Sequence, residues 1–368
     1  MINELDELIP NLMKEYKVPG TAIAFIENSQ VSIKTFGYSN KENKIPITEN
    51  TVFQIASISK SISTWGVMKL IEKGLIDLDA PVEKFLTRWH LPHSDFNHDE
   101  VTIKRLLSHT AGLSLHSYLG FLPYIKLPSI EDSLSGQINY QRDDIQKKHK
   151  EKFASEGYYD QDSVMVIMRP GLKYMHSGGG YTLLQLVVEE VTNQSFAEYM
   201  EKEVLQPLGM NNSSFLWLPN LRPLTATGYY YDQSLVPNYL FTALAAAGCY
   251  SSIGDLANFA LAGMTGVSRE LLDRRILRPQ TVQMMYTKVT EAERLMNFDM
   301  DIGLGHYLID YKGIKIVNHS GGNIGWGSMM LFIPMTRDGL IILTNSNNGM
   351  ILIKNLILKW VEYIVSKS

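Results

Sequence analysis

Three short stretches carry residue types able to do acyl chemistry: Ser57-Ile58-Ser59-Lys60, His176-Ser177-Gly178 and His319-Ser320-Gly321-Gly322. A serine hydroxyl attacks a carbonyl well only when a neighbouring base takes its proton. Lysine serves as that base when burial or another cation lowers its pKa. If Ser57 opens a helix, Lys60 stands on the same face about one turn away. The N–H groups of that helix terminus then face negative charge developing at the serine. Four letters alone are a weak signal, because a capping serine followed by an exposed lysine spells the same pattern. Ser61, Ser63 and Thr64 are small where a surface helix would carry charge, so the sequence predicts a buried helix.

Positioning these groups falls to elements at both ends of the chain. Residues 3–17 read as an amphipathic helix stopped by Val18-Pro19-Gly20, and strands are predicted over 21–26 and 31–35. Helices are predicted from Ser57 toward Gly74, over 101–112, through 183–187 and over 257–263. The last third turns to strands at 307–309, 314–317, 328–333 and 340–344, then to an amphipathic helix over 351–365. This order predicts an α+β fold: an antiparallel sheet formed by both chain termini and flanked by helices, with an inserted, mostly helical subdomain. The chain reads as one two-lobed domain over 1–368, its helical lobe at about 57–265 lying between strands in 20–53 and a sheet and helix in 300–368. Residues 114–168 mix charges with Tyr118, Tyr124, Tyr140, Tyr158 and Tyr159, a pattern that fits a lid over substrate or a solvated helical excursion equally.

Composition narrows the function classes. The chain has 368 residues, 45% apolar and 20% charged, the balance of an ordinary globular protein. A net charge of −4 with no long basic run argues against nucleic acid as a partner. The single cysteine, Cys249, sits among alanines and glycine and reads as a buried small residue, which leaves no internal disulfide and no multi-cysteine zinc site. His90, His93 and His98 lack metal-ligand spacing, so neither metal nor cofactor is expected. The acidic N-terminus has no secretory pattern and no apolar run is long enough for a bilayer. The expectation is a cytoplasmic or trimmed extracytoplasmic protein acting on a small molecule or peptide, without membrane association.

Taken together, the three motifs resemble the serine β-lactamase and penicillin-binding protein superfamily, and most its class C β-lactamase and D-peptidase or esterase branch. Phe53 to Lys60 is similar to the family's nucleophile helix, Leu106 to Leu113 to its downstream signature, and Asn318 to Gly322 to its third motif on the strand edging the active site. The resemblance covers nearly the whole chain. It implies that Ser57 is acylated, that Lys60 is its proton partner, and that His319, with Gly321, stands in the Lys/His-x-Gly motif beside the substrate. Backbone N–H groups of Ser57 and Gly322 would form the oxyanion hole. The second motif departs from the family's usual Tyr-x-Asn, which in some members is Tyr-Ser-Gly. Counting from Pro170-Gly171 and back from Gly180-Tyr181 puts His176 where the tyrosine belongs and Gly178 where the asparagine belongs. A neutral imidazole can shuttle a proton; Tyr174 is the alternative phenol if the loop is shifted. Gly178 removes a side-chain donor for a substrate amide, which brings esters into range. The resemblance thus implies a serine hydrolase of D-residue peptides, β-lactams or small esters. Alternatives are an acyltransferase or cyclase of the same fold, and a penicillin- or peptide-binding protein with impaired turnover. His109 reads as a helix-end histidine, and Trp326 as lining the pocket or packing the sheet.

Overall fold

The computed structural model describes residues 2–118, 120–137, 163–264 and 276–367. Tyr140, Tyr158 and Tyr159, with much of the expected lid, lie outside the described residues. The chain opens with α1 (Ile2–Tyr16), followed by β1 (Gly20–Glu27), β2 (Gln30–Asn40), β3 (Ile45–Pro46) and β4 (Val52–Gln54). Helices α2 (Ile58–Glu72), α3 (Ile103–Leu107), α4 (Ile130–Leu134), α5 (Gly178–Thr192) and α6 (Phe196–Met200) come next. A hairpin of β5 (Gly228–Tyr229) and β6 (Leu235–Val236) precedes α7 (Leu244–Ala247), β7 (Tyr250–Ser252), α8 (Ile253–Ala262) and α9 (Pro279–Met285). The chain ends in β8 (Thr290–Leu295), β9 (Phe298–Ile302), β10 (Tyr307–Tyr311), β11 (Ile314–Asn323), β12 (Trp326–Ile333), β13 (Asp338–Thr344) and α10 (Gly349–Lys367).

Both chain ends build one sheet. Its nine strands run β3-β2-β1-β13-β12-β11-β10-β9-β8, and β1 joins the two halves by pairing antiparallel with β13 from Thr21↔Thr344 to Ile26↔Gly339. The central strands read as nearly continuous apolar runs because both faces are covered. With a side-chain period of two, Ala22, Ala24 and Ile26 of β1 join Ile341 and Leu343 of β13 and Phe332 of β12 on the face toward the helical region. Ile23, Phe25, Leu340, Ile342 and Leu331 face the other way, against Leu5 and Ile9 of α1 and Leu356, Ile357 and Trp360 of α10. The amphipathic stripe predicted for the C-terminal helix is therefore the surface that docks it. Among the described residues no helix is long and apolar enough to cross a membrane.

Two departures from the sequence reading matter for the site. Strands β8 and β9 were not expected, because Thr290-Glu291-Ala292-Glu293-Arg294-Leu295 forms an edge with four charged or polar positions and little apolar signal. Strand β11 runs to Asn323 rather than stopping near Val317, which carries His319 to Gly322 inside the sheet. Helix α2 is buried around nearly its whole circumference, with Lys60 at 2% exposure.

Candidate active site

Ser57 sits where strand β4 turns sharply into α2. Pairing of β4 with β7 and a bond from Ile55 N–H to the Cys249 carbonyl, 3.1 Å, fix the approach. Ala56 then takes a left-handed φ of 49°, a conformation costing an alanine about 1–2 kcal/mol, before Ser57 starts the helix. The Ser57 side chain makes no capping bond. Among the described residues its Oγ has one partner: Lys60 Nζ donates to it at 2.9 Å and also to the Ala246 carbonyl at 2.7 Å. Burial lowers the Lys60 pKa to about 7 from an ordinary 10.5, because the charged ammonium has lost its water.

Strand β11 passes directly against this turn. A methyl group on Gly321 would stand 2.4 Å from the Ile55 carbonyl oxygen and 3.0 Å from Ser57 N, so only glycine allows the approach. Ser328 Oγ on neighbouring β12 donates to the same Ile55 carbonyl at 2.8 Å, tying sheet to turn. Gly322 faces open space. His319 is buried, its Nδ1 2.7 Å from the Ser320 carbonyl and its ring 5.1 Å from that of Tyr307. Loss of hydration and the nearby Lys60 charge push its pKa down to about 3, so it stands neutral.

The second motif forms a stack of imidazoles. His176 lies between His109, ring centroids 4.5 Å apart, and His116, 4.3 Å apart. His109 takes a left-handed φ of 54° just past α3, and its Nδ1 accepts from Ser177 N–H at 3.2 Å. It is thus more than the helix-end residue expected from sequence. Among the described residues His176 Nδ1 is buried without a hydrogen-bond partner. Burial holds the His176 and His109 pKa values well below 6.5 and lowers His116 to about 4. Three neutral rings can stack where three cations could not.

Position 178 has a steric reason for glycine. Gly178 N–H donates to the His116 carbonyl at 3.0 Å, and a Cβ there would lie 2.8 Å from that same oxygen. The backbone that presents His116 to the stack therefore occupies the space an asparagine would need. Ser177 caps α5, accepting from Gly180 N–H at 3.0 Å while donating to the Ser114 carbonyl at 2.7 Å, and so locks this segment in place.

These pieces meet in a cavity of about 430 Å³, whose walls include Ser57, Lys60, His176, Gly178, His319 and Gly322. Gly321 is not among the wall residues and packs against the Ile55–Ser57 turn. Tyr174, the alternative phenol, is absent from the lining; its hydroxyl is 2.6 Å from the Tyr307 hydroxyl. Trp326 does both things foreseen, lining the cavity and packing edge-on against Phe53 at 6.2 Å. His116, Tyr239, Tyr307 and Glu293 are wall residues that sequence reasoning missed. Tyr239 is held by a bond from its hydroxyl to the Ile324 carbonyl at 2.7 Å, and its own carbonyl accepts from Gln54, which precedes the nucleophile turn. Of the histidines considered for metal, His90 pairs with Glu83 and His98 with Ser94, each at 2.8 Å.

Comparison with known proteins agrees with this architecture. The chain is similar to penicillin-binding protein 4* of Bacillus subtilis, 26% identical over 353 residues, covering 93% of this chain and 71% of that protein. It is 24% identical over 408 residues to the human mitochondrial serine beta-lactamase-like protein LACTB, with 90% and 72% covered. Among solved structures, the octameric penicillin-binding protein homologue from Pyrococcus abyssi superposes with a TM-score of 0.73 at 28% identity, covering 94% of this chain and 74% of that one. A class C beta-lactamase shares the fold, with a TM-score of 0.73 at 19% identity over 97% of this chain and 95% of that one. Residues 5–354 match the family described as Beta-lactamase, and the chain belongs to that family.

Proposed function

We propose that the protein is a serine hydrolase working through an acyl-enzyme on Ser57, with D-residue peptides, β-lactams and small esters as its substrate classes. The observation that carries this reading is the 2.9 Å contact between Lys60 Nζ and a Ser57 hydroxyl left free of capping duty. With its pKa lowered to about 7, Lys60 is about half neutral at neutral pH, the condition a general base requires. In acylation Ser57 Oγ bonds to the substrate carbonyl carbon while its proton passes to Lys60. The tetrahedral oxyanion is held by the backbone N–H groups of Ser57 and Gly322, a pair of donors worth several kcal/mol when preorganised. Collapse breaks the bond to the leaving group, which takes up the proton, and water later reverses the sequence.

His176 takes the place of the tyrosine expected in the second motif and stands neutral at neutral pH, because burial disfavours the imidazolium. The missing amide at Gly178 weakens recognition of a peptide carbonyl, which favours esters within the three classes. The test is intact-protein mass after exposure to a fluorophosphonate and, separately, to a penicillin, with Ser57→Ala as control. One adduct on the parent and none on the variant supports the nucleophile, and loss of the penicillin adduct with time shows turnover. A parent chain that takes up neither reagent would contradict the reading in favour of a binding protein.

A further inference from the structure

The cavity has an unusual charge inventory. Among the described residues its walls hold no arginine, and Lys60, the sole lysine, is committed to Ser57 and the Ala246 carbonyl. Glu293, an exposed residue of edge strand β8, is the sole acidic group among them. The basic residues next to it along the chain pair elsewhere, Arg294 with Asp299 at 2.7 Å and Lys288 with Asp301 at 2.8 Å. That leaves Glu293 without an ion pair among the described residues. Tyr118, Tyr231, Tyr239, Tyr307 and Trp326 also line the cavity, and Tyr307 on β10 lies close enough to feel the Glu293 charge. A cavity that holds one carboxylate and several aromatic walls suits a cation, because both the carboxylate and the ring faces attract positive charge. Among the described residues it is a poor setting for a substrate carboxylate, which would meet Glu293 with no free guanidinium or ammonium in the walls to offset it.

We propose that this cavity selects acyl substrates carrying an ammonium group, with Glu293 as the specificity residue, and disfavours substrates carrying a carboxylate. The inference rests on the acyl-enzyme reading and narrows its substrate class toward cationic or neutral esters. It places Glu293 in substrate positioning, apart from the proton transfers at Ser57 and Lys60. The neutral state of His116, His176 and His319 supports it, since none of them supplies standing positive charge at neutral pH.

The test uses two matched sets of acyl donors at pH 7. In one, the charge sits on the leaving group: acetylthiocholine, S-ethyl thioacetate and acetylthioglycolate. In the other it sits on the acyl chain: p-nitrophenyl esters ending in trimethylammonium, methyl or carboxylate. Release of thiol or nitrophenol is measured together with the concentration of each compound that slows fluorophosphonate labelling of Ser57. In at least one set the cationic member should exceed the anionic one by about tenfold in kcat/KM or in competition, a ratio in reach of combined ion-pair and ring contacts. That ratio should fall to within about twofold in Glu293→Gln and invert in Glu293→Lys, acting on KM more than kcat. Equal treatment of the three charges in both sets, or a ratio that Glu293→Gln leaves intact, overturns the proposal. Ser57 labelling separates the two layers: labelling without charge preference overturns this inference alone, whereas no labelling overturns the acyl-enzyme reading and the inference with it.

Discussion

Replacing Lys60 by methionine keeps the length of the side chain and removes its amine, so the same variant reads both the chemistry and the energetic burden of the site. The parent buries an amine whose pKa falls to about 7 from 10.5. Because the folded value is the lower one, the unfolded chain binds more protons across the window from about pH 7 to 10.5, and this group makes stability rise with pH there. Below pH 7 the burden is complete, on the order of 5 kcal/mol at 1.36 kcal/mol per pKa unit. Between pH 6 and pH 9 linkage relieves roughly 2–3 kcal/mol of it. Lys60→Met carries none of this dependence, and the histidines that feel the Lys60 charge, His109, His116, His176 and His319, are held low chiefly by burial, which both proteins share. Urea unfolding of parent and variant at pH 6, 7, 8 and 9 should show the variant more stable at pH 6 by several kcal/mol, an advantage shrinking by about 2–3 kcal/mol at pH 9. Over the same variant, fluorophosphonate labelling of Ser57 should slow by about 10²–10⁴-fold. A stability difference flat with pH would refute the reasoning that burial has shifted this lysine.

The other variants probe the backbone that shapes the site. Gly321→Ala should push the Ile55-Ala56-Ser57 turn away from β11 and slow Ser57 labelling by more than about tenfold, with a loss of stability of roughly 1–3 kcal/mol visible in thermal unfolding. Gly178→Asn, which introduces the residue of the usual Tyr-x-Asn motif, should fail to improve hydrolysis of peptide amides and should cost about 1–3 kcal/mol, because its Cβ meets the His116 carbonyl; improved amide turnover at unchanged stability would contradict this. Tyr174→Phe should leave the labelling rate within about threefold while costing on the order of 1 kcal/mol from the lost bond to Tyr307, since that phenol lies outside the cavity wall.

What the sequence disclosed follows the range of the interactions concerned. Ser57 and Lys60 are three residues apart on one helix, so their meeting is a property of helical geometry that letters can report. The sheet was legible because β1, β12 and β13 carry long apolar runs, and the antiparallel closure of the two chain ends followed from their order. The stack of His109, His176 and His116 was not legible, since it depends on a 3.0 Å hydrogen bond from Gly178 N–H to a carbonyl 62 positions earlier in the chain. Gly321 and Ile55 meet across a still longer separation. Glu293 was missed with its strand: an edge that alternates glutamate and arginine with small residues has no apolar face to announce it. His176 lay between these cases, with its position given by counting and its neutral, stacked environment given only by the fold.

The central claim is that a neutral Lys60 activates Ser57, and the pH profile of Ser57 labelling by a fluorophosphonate, followed by intact mass, tests it most directly. The account predicts a rate rising through a single ionisation near pH 7 and then level to pH 9, reduced by about 10²-fold or more and without that step in Lys60→Met, and absent in Ser57→Ala. A rate still climbing toward pH 10, or a step near pH 7 that survives in Lys60→Met, would contradict it.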